Sequence, residues 1–115
     1  MHDFLLLYIK NLPDEFPFSA DEYNYYKRIE ISDKFIINNN QYLSYKFAAF
    51  NSFWWSMNNP QIGLNYYGVT IFDYDCILEL SHTLTKLKSS DERNKLIEIC
   101  DIAIDRGMYL IHLGI

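Results

Sequence analysis

Residues 64–115 read LNYYGVTIFDYDCILELSHTLTKLKSSDERNKLIEICDIAIDRGMYLIHLGI, and this stretch decides the fold class. Leu64 to Phe72 places the β-branched run Val69, Thr70 and Ile71 beside Gly68, an extended pattern. Asp73 then stands where a helix N-cap belongs. Ile77, Leu80, Leu84 and Leu87 follow at three-four-three spacing, which is one face of a helix. Ser89-Ser90-Asp91-Glu92 has the form of a capping box and opens a second helix with Leu96, Ile99, Cys100 and Ala103 inward. Gly107 either ends that helix or lies within one that runs on through Met108 and Ile111 to His112. An extended segment followed by two amphipathic helices implies an α+β arrangement.

Upstream the pattern is more mixed. Residues 3–10 read as a short helix capped by Asp3 with Phe4, Leu7 and Tyr8 on one face, or as a strand. Pro13 and Pro17 mark a connector. Ser19-Ala20-Asp21-Glu22 matches a capping box, predicting a short Tyr-rich helix to about Lys27. Arg28 to Ile37 reads as extended, with Asp33-Lys34 as the turn of a small hairpin, and Asn38-Asn39-Asn40 is a polar break. Leu43, Phe47, Phe50, Trp54 and Met57 recur at steps of four, three, four and three, which predicts a helix ended by Asn58-Asn59-Pro60. The whole is a helix-rich α+β single domain, residues 1–115, with a small sheet.

Half of the 115 residues are hydrophobic, enough for a core without metals or disulfides. Ten Tyr, eight Phe and two Trp make the chain aromatic, while four Gly and three Pro allow few tight turns. Fifteen acidic against ten basic residues give a net charge of −5. That balance argues against nucleic acid or an anionic membrane as partner, and suits a basic protein or simple solubility. The apolar run Phe4 to Ile9 is short for a signal peptide, and no stretch approaches the roughly 18 apolar residues of a membrane span. Cys76 and Cys100 lie in apolar helical patterns and read as buried free thiols of a reducing compartment. These features place the chain in the cytoplasm.

The search for chemistry favours binding over catalysis. Cys100 sits on an apolar stripe where a thiolate would be poorly solvated. Neither a Gly-x-Ser-x-Gly elbow nor a Gly-rich phosphate loop occurs. Cys76, His82, Cys100 and His112 have no metal-site spacing in the sequence, so no metal and no cofactor is expected. Asp101 and Asp105, with Glu98, share a helix face and read as a solvated acidic surface rather than a carboxylate pair for acid–base work. The strongest feature outside the core is Asp14 to Tyr26. Asp14, Glu15, Asp21 and Glu22 stand there without a basic residue, among Tyr23, Tyr25 and Tyr26. Carboxylates attract Lys and Arg, and Tyr gives contact area at small entropic cost. The alternative is a surface helix whose tyrosines cover the core.

Leu64 to Phe72, the following helix, and Ala103 to Ile115 resemble small immunity proteins of bacterial polymorphic-toxin and contact-dependent growth inhibition systems. The resemblance covers residues 64–115; residues 1–63 match only in their aromatic, acidic character. It implies a cytoplasmic protein, not an enzyme, that binds the C-terminal toxin domain of a cognate exoprotein, often a nuclease with a basic substrate groove. Tyr67, Gly68, Thr70, His112 and Gly114 occupy the motif positions and are expected to be structural. The partner-binding residues are then Asp14, Glu15, Asp21, Glu22, Tyr23, Tyr25 and Tyr26, with Glu98, Asp101 and Asp105 as a second patch. Two other functions fit the same sequence: an adaptor module for a different protein, and a small-molecule binder with an aromatic pocket around Trp54, Trp55 and Tyr67.

Overall fold

Along the first strand, β1 (His2–Leu7), side chains alternate across the sheet. His2, Phe4 and Leu6 face one way, Leu5 and Leu7 the other, and all five are buried. A strand apolar on both faces needs cover on both. The computed structural model, which describes residues 1–115 except Asp14, Glu15, Phe18 and the side chain of Asn11, supplies it. Residues 3–10 thus resolve as a strand and then a 3-10 turn, Ile9–Asn11.

The remaining elements are β2 (Lys27–Ile31), α1 (Asp33–Asn38), α2 (Asn40–Leu43), β3 (Asn51–Trp54), β4 (Pro60–Ile62), β5 (Val69–Phe72), α3 (Tyr74–Leu84), α4 (Asp91–Arg106) and β6 (Tyr109–Leu113). The strands form one sheet in the order β2-β1-β6-β5-β3-β4, with every pairing antiparallel. The α+β class read from the sequence is the class observed. Helices α3 and α4 lie on one face, where Ile77, Leu80, Leu84, Leu96, Ile99, Cys100 and Ala103 join Phe4, Leu6, Phe72 and Leu110 in one core. On the other face Leu5, Leu7, Val69, Ile71, Ile111 and Leu113 pack under Leu12, Phe16, Ala20, Tyr23 and Met57.

Local chemistry fixes the ends of the helices. Asp73 accepts from the Cys76 amide at 3.0 Å and Ser90 from the Arg93 amide at 3.1 Å. Gly107, with φ 65°, closes α4 in the left-handed conformation, so the chain turns back as β6 rather than running on as helix. Ser32 caps α1 through the Phe35 amide and also donates its hydroxyl to Glu92 in the first turn of α4, at 2.9 Å. Pro60, which has no N–H to donate, opens the edge strand β4.

Three local expectations fail. The helix read across Leu43 to Met57 is a four-residue α2 followed by β3. The chain leaves helical geometry at Ser44, Phe47 is 63% exposed, and Phe53 and Trp54 pair with Ile71 and Thr70. An aromatic run suits a strand, and here the cross-strand ladder overrides the chance helical spacing. The hairpin turn expected at Asp33-Lys34 is the start of α1, because Ser32 caps a helix there. The Tyr-rich helix expected after Ser19 is one 3-10 turn, Ala20–Glu22; Ser19 accepts from the Asp21 amide, but the chain is extended again at Tyr23.

Candidate functional site

Three places hold polar or exposed aromatic groups that the core does not explain. The first is buried. His2 and His112 are fully inaccessible, stacked with ring centroids 5.0 Å apart and an interplanar angle of 11°. His2 Nδ1 lies 2.8 Å from His112 Nε2, and His112 Nδ1 lies 3.0 Å from Thr70 Oγ1. Thr70 Oγ1 also accepts from the Asn65 amide at 2.8 Å. At the other end His2 Nε2 sits 3.4 Å from Asp33 Oδ1, which is 3.0 Å from the Met1 amino group.

Burial lowers the pKa of His2, with Asp33 opposing, and holds that of His112 well below the usual imidazole value, so both rings are neutral near pH 7. His2 Nε2 and Asp33 Oδ1, 3.4 Å apart, make no hydrogen bond, so the hydrogen-bonded chain runs from His2 Nδ1 through the His112 ring to Thr70. His112 and Thr70 are structural, as expected of them. So is Gly114, whose amide donates to Gly68 at 2.8 Å. Tyr67 is not: it is 75% exposed and its ring meets Tyr66 edge-on.

The second place is the outer edge near β2, where the residues expected to bind a partner are only partly gathered. Tyr23 is buried on the second face of the sheet, and its hydroxyl donates to the Pro17 carbonyl at 2.6 Å. It covers the core, as the alternative reading of this segment held, and is corrected out of the binding surface. Asp14 and Glu15 lie outside the described residues. Asp21 and Glu22 are exposed, but on the sheet face opposite α4. Tyr25 and Tyr26 are exposed at the edge between the two faces. Tyr26 meets Tyr8 edge-on at 5.9 Å, and the Arg106 guanidinium sits over its ring at 5.0 Å. Glu98, Asp101 and Asp105 are exposed along α4, and Lys27 lies 3.9 Å from Glu98. Among the described residues, Arg106 over Tyr26 and Lys27 beside Glu98 join the β2 edge to α4. Arg106 and Tyr8 belong to this surface; the sequence reading placed Tyr8 only on a face of the segment 3–10, and nothing local marks Arg106.

The third place is a cleft of about 850 Å³ between α1–α2, Trp54 of β3 and the loop before β5. Tyr45 meets Trp54 edge-on across 6.1 Å, and Lys46 sits over the Tyr45 ring. The Trp54 indole donates to the Gly63 carbonyl at 3.1 Å, which fixes its ring. Of the pocket read from the sequence, Trp54 and Tyr67 line this cleft, whereas Trp55, with φ 66°, turns away from its wall.

The thiols offer no nucleophile. Burial pushes both Cys76 and Cys100 up to about 12, so each is a thiol at neutral pH. Among the described residues, no three His, Cys, Asp or Glu side chains converge as metal ligands, and no helix is long and apolar enough to cross a membrane. No family model, curated protein or solved structure matches the chain.

Proposed function

We propose that this chain is an immunity protein, which binds a basic toxin domain in the cytoplasm and neutralises it stoichiometrically. The observation that carries the reading is the surface at the β2 edge. Tyr8, Tyr25 and Tyr26 are exposed together with Arg106, flanked by Glu98, Asp101 and Asp105 on α4. Tyrosine and arginine dominate the energetics of protein interfaces, and a rim of carboxylates steers a cationic partner. Exposed aromatic rings of this kind are poorly explained by folding alone, because the core is complete without them.

Site-specific photo-crosslinking tests it. A photoreactive residue at Tyr26 or Asp101 should capture one basic protein in cells that make both partners. The same residue at Lys88, in the connection before α4 and more than about 15 Å along the helix axis from Asp101, should not. The purified captured protein should lose its activity at one equivalent of this chain. Capture from Lys88 alone, or a captured partner whose activity persists at excess, overturns the proposal.

A further inference from the structure

We infer that the cleft between α1–α2 and the loop before β5 binds a neutral, flat heterocycle of nucleoside size. Its volume lies within the range of small-ligand pockets, about 300–1,000 Å³. Ile36, Leu43 and Leu64 give it an aliphatic floor, and Tyr45, Trp54, Tyr66 and Tyr67 stand around it as two edge-to-face pairs. None of the lining residues is charged, and the Lys46 ammonium lies over the Tyr45 ring rather than in the lining, so the wall itself offers an anionic or cationic ligand no counter-ion.

The polar groups of the lining are carboxamides and hydroxyls, all of them neutral. Asn40 and Asn65 line the cleft, and neither carboxamide makes a side-chain hydrogen bond among the described residues; that of Asn65 packs toward Gly68. The Ser44 hydroxyl in the wall is buried and unpartnered. A carboxamide both donates and accepts, which matches the mixed edge of a nucleobase-like ring. A sugar carries hydroxyls around its whole rim and would press some of them against Ile36 and Leu64. A planar heterocycle is apolar on both faces and polar only at its edge, so it can meet rings and aliphatics with its faces and carboxamides with its edge.

The cleft is also held in shape from behind. Asn65 is tied through its amide to Thr70, and Tyr66 packs edge-on against His2 at 4.8 Å. Its walls therefore rest on the buried histidine chain and have little freedom to collapse.

Calorimetric titration of the full chain with adenosine, uridine, their 5′-monophosphates and methyl glucoside tests the inference, with the Trp54 indole N–H followed by NMR. At least one nucleoside should bind saturably and shift the Trp54 signal. Its monophosphate should bind several-fold more weakly. Tyr67→Ala and Asn40→Asp, both at exposed positions, should each weaken binding roughly ten-fold. No saturable binding up to millimolar nucleoside overturns the inference. So does binding that both variants leave unchanged, or glucoside binding as tight as that of either nucleoside.

Discussion

Acid should destabilise this fold through two residues, and the size of the effect can be worked out. His2 and His112 are held neutral by burial, their pKa values lowered from 6.5, His112 well below it. In the unfolded chain each takes up a proton near pH 6.5. The unfolded state therefore binds more protons below that pH, so stability rises with pH and is lost as pH falls below about 6.5. Each ring that stays neutral in the fold contributes about 1.4 kcal/mol of loss at pH 5.5, and the two together about 2.8 kcal/mol. Asp33, 3.4 Å from His2, favours the protonated form of that ring, so the loss should fall between these figures. With a urea m-value near 2 kcal/mol/M, the larger figure moves the midpoint by about 1.4 M. Urea titrations between pH 7.5 and 5.5 measure it, a window chosen to stay above the ordinary carboxylate range. NMR of the native protein should show His112 failing to titrate there. A flat stability profile, or a His112 signal titrating near 6.5, refutes the reasoning. The double variant His2→Asn/His112→Asn, if folded, should lose most of the slope.

Other consequences are simpler. A methyl at Gly114 would stand 2.0 Å from the Tyr66 carbonyl oxygen, so Gly114→Ala should cost about 1–3 kcal/mol in chemical denaturation. With both pKa values near 12 and both side chains buried, Cys76 and Cys100 should react with an aromatic disulfide reagent far more slowly in the native protein than in denaturant; equal rates would mean that one thiol is accessible. The pair Asp101→Lys and Asp105→Lys should leave stability within about 0.5 kcal/mol while slowing association with a basic partner and flattening its salt dependence. The same reversal at Asp21 and Glu22 separates the two acidic patches, since those residues lie on the opposite face of the sheet; an unchanged rate there removes that patch from the interface.

The second half of the fold was legible because local and tertiary signals agree there. Asp73 caps α3 as read, Ser90 caps α4 one residue later than the box starting at Ser89 implies, Gly107 settles the open end of α4, and Ile77, Leu80, Leu84, Leu96 and Ile99 are all buried. In the first half the two signals part. Leu43 and Phe50 are buried and Trp54 partly so, at helical spacing, but they belong to a short helix, a loop and a strand. Periodicity over a few residues cannot tell a helix face from core positions reached by separate elements. His2 could be read only once β1 was known to be a strand. Then its alternation with Phe4 and Leu6 puts an imidazole into the core, and the position demands a partner.

The same logic explains why the proposed binding surface was only half legible. A sheet apolar on both faces must be covered twice, and α3 and α4 can cover only one face. The segment carrying Phe16, Ala20 and Tyr23 covers the other, so Tyr23, which looked free for recognition, is drawn inward with Phe16. What remains free lies where the cover ends: Tyr25 and Tyr26 at the β2 edge, and the cleft that α1–α2 leaves open toward β3. Charge pattern alone cannot separate these from the cover, because acidic residues stand beside both. The separation comes from the strand order. β6 sits at the centre of the sheet and buries the motif histidine His112, and the two ends of the sheet are left to meet whatever the protein binds.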